Sequence, residues 1–298
     1  MRHLLAFALL PLWISLLAGS TRATPAENER SDSATDPSAG ELLQKVVDRE
    51  LAAAKQDQSL WMYESRTQTQ GAQTAKEVIE THQGNLSRTV WLQGQPLTKQ
   101  QQAREDQRVR EIATNPWKLR KMRREQAHDG QQAEQLLSIL PKALDLSYGD
   151  RHGDLVQLNF RPNPRFHPSS REAQVFRAMA GTIWVNAKED RLAEIDGHLI
   201  QRVNFGGGLL GHLDKGGEFH VTQSEVGPAH WDVTDLRVNM RGKALFFKTI
   251  GVQQNERRSD FKRVPGNLTL AQAAQRLDEQ GRPQTAGRST AAATFAQK

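Results

Sequence analysis

The chain has 298 residues, a formal net charge of +6 and no cysteine. The lack of cysteine excludes disulfides, thiolate metal sites and cysteine nucleophiles together. The positive excess is a weak bias that permits contact with an anionic membrane surface. It falls far short of the dense basic stripe of a nucleic-acid binder, and no nucleic-acid partner is expected.

Arg2 and His3 form a short basic start, and Leu4 to Leu17 is an apolar run broken by Pro11 and Ser15. Small residues follow, which is the order of a cleavable signal peptide, and about fourteen apolar residues are too few to span a bilayer. Thr21 and Ala23 offer small side chains to a signal peptidase, placing cleavage after Ala23, with Ser20 and Ala26 as other candidates. "LLAGS" (Leu16 to Ser20) has the form of a bacterial lipobox with serine in place of the lipid-accepting cysteine. After cleavage roughly 275 residues remain, ample for one large domain or two small ones.

Residues 24–40 are polar and small, and read as a disordered linker. Ser38 and Glu41 form a capping box, after which Leu42, Leu43, Val46, Val47 and Leu51 recur at helical spacing. From Leu60 the period shortens to that of strands, with a hairpin around Gly84. Thr98 and Gln101 repeat the capping box and open a polar helical region from Lys99 toward Gln126, broken at Asn115 and Pro116. Lys118, Arg120, Lys121, Arg123 and Arg124 cluster in its second half, as a solvated face or an anion and phospholipid headgroup site. A further helix from Gly130 runs into Pro141, and Asp154 to Phe160 reads as a strand. Ser169 and Glu172 give a third capping box before a short helix ending at Gly181.

From Gly181 to Val264 the pattern is that of an antiparallel meander. "TIWVN" and "RLAEIDGHLIQRVNF" flank a short connection, and the alternation in the second predicts one strand of fifteen residues, Arg191 to Phe205. "FGGGLLGHLDKGGEF" then supplies glycines at the turn before the strands resume with Phe219 and Val221. The tail from Pro265 holds one possible amphipathic stretch, "LTLAQAAQRLD", and is otherwise expected to be disordered.

Chemical motifs are sparse. The glycines neither follow a strand into a helix nor end in a lysine-serine or lysine-threonine pair, so they read as a turn and not a phosphate cradle. His212 with Asp214, and His152 with Asp154, are two-residue pairs that read as polar turn decoration; no metal or cofactor is expected. No serine has the glycine-flanked setting of a hydrolase nucleophile, and no enzyme activity is expected. A hydrolase stays open as the lesser reading, because histidines and acids can converge in space without a local trace.

Large side chains stand on strands whose two faces are both partly apolar, which fits a ligand-enclosing sheet or an ordinary two-sided core. Ile183, Val185, Leu199, Val203, Phe205, Trp231 and Phe247 are the candidate cavity wall. Leu209, Leu210 and Leu213, apolar within a turn, are candidates for a lid.

"YESRTQ", "GQPLT", "LNFRPNPRF", "AGTIWVNAKEDRLAEIDGHL", "VNFGGGLLGHLDKGGEF", "HWDVTDLRVNMRGKALFFK" and "DFKRV", in this order over roughly residues 45–264, resemble a group of exported bacterial proteins. Their sheet is similar to the half-barrel of the periplasmic lipoprotein carriers. The resemblance implies an α+β fold, a strongly curved antiparallel sheet forming an incomplete β-barrel with helices packed over its concave side. It implies a periplasmic protein that binds a lipid, a lipoprotein acyl chain or another amphiphile without covalent chemistry. The alternative is an envelope sensing or scaffolding module whose barrel is filled by its own side chains and whose partner is an envelope protein. The expected organisation is a signal peptide (1–23), a linker (24–40), one half-barrel domain (41–264) with a helical insertion near 99–140, and a disordered tail (265–298).

Overall fold

The computed structural model describes residues 37–208, 210–244 and 248–281. The signal segment, most of the linker, Leu209, Phe247 and the last part of the tail lie outside the described residues. In chain order the elements are α1 (Ala39–Gln56), β1 (Leu60–Thr69), β2 (Gln73–Ile79), β3 (Leu86–Leu92), β4 (Gln95–Pro96), α2 (Lys99–Thr114) and α3 (Pro116–Ala143). There follow β5 (Leu144–His152), β6 (Leu155–Pro162), β7 (Met179–Asn186), β8 (Arg191–Leu199), β9 (Val203–Phe205), β10 (Gly211–Leu213), β11 (Glu218–Gly227), β12 (His230–Ala244), β13 (Lys248–Val264) and α4 (Leu270–Gly281). The class is α+β with a large antiparallel sheet whose strand order is open. No helix among the described residues is long and apolar enough to cross a membrane.

The described residues fall into two compact units. One comprises the residues up to Asp57 with Ala127–Glu256; the other comprises Gln58–Gln126 and the residues from Arg257 onward.

In the first unit α1 starts at the expected capping box: the Glu41 N–H donates to Ser38 Oγ at 3.2 Å, and the Ser38 N–H donates to the Glu41 carboxylate at 2.8 Å. Both satisfy donors that a helix start leaves open. Leu42, Leu43, Val46 and Val47 bury the apolar stripe, and the helix lies against β5 and β8. The strands run in the order β13-β12-β11-β8-β7-β6-β5, with the first part of β13 belonging here. Alternate residues of these strands, such as Leu158, Ile183, Ile195, Val221 and Leu236, fill one core with α1 and the end of α3.

Three readings change. The fifteen-residue strand ends at Leu199, whose N–H and C=O are taken by Gly217 and Gly216 at 2.7 and 2.8 Å. Val203–Phe205 is a separate strand, β9, paired with β10 through Val203↔Leu213 and Asn204↔His212. The apolar alternation runs on through the intervening turn, because a period of two records which side chains are buried and not where the backbone finds partners. The predicted helix at Gly130 is continuous with the basic one, since one glycine costs only about 1 kcal/mol, and α3 carries Pro141 in its last turn. The third capping box is absent: a 3-10 turn spans Glu172–Ala178, and Ser170, not Ser169, accepts the Ala173 N–H at 3.1 Å.

In the second unit the strands run β4-β3-β2-β1-β13, with the later part of β13. The Thr98–Gln101 capping box forms, and α2 ends at Asn115 as the sequence indicates. In the tail, the amphipathic stretch forms α4. Leu270, Ala273 and Leu277 bury the apolar side of α4 in a core shared with Leu268, Leu60, Ile79, Leu86 and Val109.

Candidate functional site

The candidate wall splits into two groups. Ile183, Val185, Leu199 and Val203 are at most 4% exposed and belong to the first unit's core. Phe205 is half-buried against the same core. Trp231 is also half-buried but polar in its contacts: its indole N–H donates to Glu189 at 3.2 Å, and the Arg191 guanidinium lies 5.5 Å from its ring centroid. Beside Ile183 is an apolar void lined by Phe160, Phe176, Met179 and Phe219, with a volume of about 10 Å³. That is the room of a single water, against the hundreds of cubic ångströms an enclosed small-molecule site takes.

Of the lid leucines, Leu213 is 4% exposed within the core, and Leu210 is half-buried against Gly206. The glycines act as turn residues: Gly206, Gly207 and Gly208 have φ of 57°, 64° and 93°, a region that side chains with a Cβ disfavour.

Where β8 ends, the chain leaves an open groove of about 290 Å³. Val203 contributes to its floor, and Arg177, Gln174, Gln201, Arg202 and Asn204 to its sides. The Gln201 amide donates to the Arg177 carbonyl at 2.9 Å, and Arg202 lies 3.9 Å from Asp214. Pro168 and Ala178 add apolar surface beside Val203, so the groove offers guanidinium and amide groups around an apolar floor.

Two buried polar clusters tie α1 to the sheet. Arg191 donates through two nitrogens to the two oxygens of Glu50, each at 2.9 Å. The Leu192 N–H at 2.9 Å and the Gln223 amide at 3.2 Å complete the shell of that carboxylate. At the end of α1, His230 Nδ1 lies 2.6 Å from Asp57, and its Nε2 lies 4.0 Å from buried Asp232. One signal for the first cluster was available: Glu50 lies seven residues after Leu43 on the apolar stripe of α1, a position where an acid needs a partner.

Of the two expected acid–histidine pairs, the one at His212 and Asp214 is a short contact. His212 lies 3.2 Å from Asp214 on β10 and its following turn, and His152 stacks on Trp184 with centroids 5.3 Å apart. A set of three potential ligands forms elsewhere, from Glu194 and Asp196 on β8 and His220 on β11.

In the second unit the first turns of α3 gather an exposed basic surface. Asn115 caps the helix, its side-chain oxygen accepting from the N–H groups of Trp117 and Lys118 at 2.9 and 3.2 Å. Leu119 and Met122 pack against the core, which turns Arg120, Lys121, Arg123 and Arg124 outward. Trp117 is 58% exposed, with the Lys121 ammonium 5.9 Å from its ring centroid. No acidic residue occupies the first turn. Cations at this end oppose the helix dipole, so helix stability does not account for them, although Lys118 pairs with Glu111.

No protein-family model matches the chain, and no curated protein matches it.

Proposed function

We propose that this is a non-enzymatic protein of the bacterial envelope, exported by a cleavable signal peptide to the periplasm, that docks on an anionic membrane surface and serves there as a scaffolding or sensing module. The observation that carries the reading is the exposed Trp117 among Arg120, Lys121, Arg123 and Arg124 at the positive end of α3. An indole suits the interface between headgroups and acyl chains, and each basic residue near an anionic leaflet contributes about 1 kcal/mol. The packed interior of the first unit supports the scaffolding half, since Ile183, Val185, Leu199 and Val203 are buried within its core.

In this proposal the sheet is a strongly curved, incomplete barrel of the lipoprotein-carrier kind with helices over its concave side. The register shifts at Trp184/Val185 and Thr222/Gln223 support it, because bulges bend and twist the strands that carry them. Binding of an amphiphile inside the barrel is the second reading; it requires the side chains around the small void beside Ile183 to move apart.

Flotation of the mature protein with vesicles tests the first reading. Phosphatidylglycerol-containing vesicles should carry the protein upward in a salt-dependent way and pure phosphatidylcholine vesicles should not. Replacing Arg120, Lys121 and Arg123 with glutamine should weaken the partitioning about a hundredfold. Equal partitioning to both vesicle types, or none, overturns the reading. Mass spectrometry of lipids that co-purify with the protein, with uptake of a fluorescent fatty acid, tests the second; repeated failure of both removes it.

A further inference from the structure

Along β8 the burial alternates, so that Ile195, Gly197 and Leu199 face the core while Glu194 and Asp196 stand on the other face. On β11, Phe219 and Val221 face the core while His220 and Thr222 stand on that same outer face. The register sets His220 directly opposite Asp196 and Thr222 directly opposite Glu194. The result is a square of four polar side chains on two hydrogen-bonded strands. Within it, ligand atoms of Glu194, Asp196 and His220 all lie within 4.8 Å of one another.

We propose that Glu194, Asp196 and His220 form a binding site for a divalent first-row transition metal ion, clipping β8 to β11 on the outer face of the first unit's sheet. The donor set is one imidazole nitrogen and two carboxylates, which suits zinc and its neighbours; the soft thiolate alternatives do not exist in a chain without cysteine. A tetrahedral ion with bonds of about 2.1 Å sets its ligands roughly 3.4 Å apart. His220 Nδ1 and Asp196 Oδ2 already stand 3.1 Å apart, and Glu194 closes by rotating a flexible side chain.

The second nitrogen of the ring is provided for as well. His220 Nε2 lies 3.0 Å from Thr222 Oγ1. A hydroxyl both donates and accepts, so it satisfies either tautomer. Without an ion, Nδ1–H donates to Asp196 and Nε2 accepts from Thr222. With an ion on Nδ1, the proton resides on Nε2 and is donated to Thr222, which holds the ring in its binding orientation. The neighbouring strands do not oppose the charge: Arg237, across from His220 on β12, is drawn to Asp235 at 2.6 Å, and β7 places neutral Thr182 and Trp184 opposite Asp196 and Glu194. Asp196 is 60% exposed on its side chain, so water completes the shell and an ion enters from solvent.

Isothermal titration of the mature, untagged and chelator-stripped protein with zinc chloride tests the site. One equivalent should bind, and His220→Ala and Asp196→Asn should each weaken binding at least tenfold, with Thr222→Val showing a smaller loss. His212→Ala, in the two-ligand pair on β10, should bind as the wild type does. Histidine side-chain NMR of the wild-type protein gives the same answer without relying on a folded variant: zinc should shift the His220 ring resonances ahead of all other histidines. Binding that survives His220→Ala unchanged, saturation only at millimolar zinc, or a first shift at another histidine overturns the proposal.

Discussion

Glu50 and Arg191, 141 residues apart in the chain, meet in a two-point contact between α1 and β8 with both distances at 2.9 Å. Both side chains are almost fully buried, at 4% and 8% exposure. The pair therefore fixes where α1 lies on the sheet more than it adds net stability, because desolvating two charges offsets most of their attraction. Breaking it from one side is costly. Glu50→Ala should lower the stability of the first unit by about 3–5 kcal/mol, since Arg191 and the Gln223 amide then lose their acceptor in a buried place. Glu50→Leu combined with Arg191→Met should recover a large part of that loss in urea titration. A double variant no better than Glu50→Ala would show that the pair itself, and not the stranded cation, carries the energy.

In the second unit, Glu105 is held at a pKa of about 2. Burial pushes this carboxyl upward, but the Arg108 side chain at 2.7 and 2.8 Å, the Thr89 N–H at 2.7 Å and the guanidinium charge together outweigh it. A carboxyl with a lowered folded pKa contributes fully above its unfolded value of 4.5, and that contribution fades as pH falls from there toward about 2. Arg108 is 42% exposed, so solvent screening reduces the contribution to about 1 kcal/mol. The urea midpoint of the wild type should exceed that of Glu105→Gln at pH 6, and the gap should narrow steadily below pH 4.5 toward about pH 2. Parallel profiles across that range would remove Glu105 from the acid response.

The local parts of this structure are legible in the sequence, and the long-range ones are not. The Ser38–Glu41 and Thr98–Gln101 boxes are visible because each spans one helical turn and both partners sit in the same short window. The end of β8 at Leu199 is invisible, because what terminates it is bonding to Gly216 and Gly217 after an intervening hairpin. Likewise Glu194 and Asp196 are readable as neighbours on one strand face, but that His220 joins them depends on the β8–β11 register. Large side chains on both faces of a sheet fit a lipid cavity, and a filled core produces that same pattern. Sequence spacing records which residues are buried, while room for a ligand depends on how their volumes add up.

The β7–β8 pair is built around two glycines facing each other, Gly181 and Gly197, and space there is already used. A Cβ on Gly197 would stand 2.3 Å from the Phe219 ring, whereas one on Gly181 would stand 2.0 Å from the Asp196 carbonyl oxygen. Gly197→Ala should therefore cost about 1–3 kcal/mol as Phe219 is pushed off its rotamer, and Gly181→Ala more, because backbone must move. Adding Phe219→Leu should restore part of the stability of Gly197→Ala and none of that of Gly181→Ala. Thermal unfolding of the four variants separates the two cases.

Leu210 and Leu213, six and nine residues after Asn204, differ in what holds them. Leu213 is 4% exposed, sits on β10 opposite Val203 and opposite Gly242 of β12, and belongs to the first unit's core. Leu210 is half-buried and rests on Gly206. Leu213→Ser should lower stability by about 3 kcal/mol, combining a lost apolar side chain with a buried hydroxyl. Leu210→Ser should cost less than about 1 kcal/mol. A lid role for this segment is thus testable through Leu210 alone, since serine at Leu213 disturbs the fold before it reports on any ligand. Equal unfolding midpoints for the two serine variants would mean that the β9–β10 hairpin stands off the core, and the lid would then extend over both leucines.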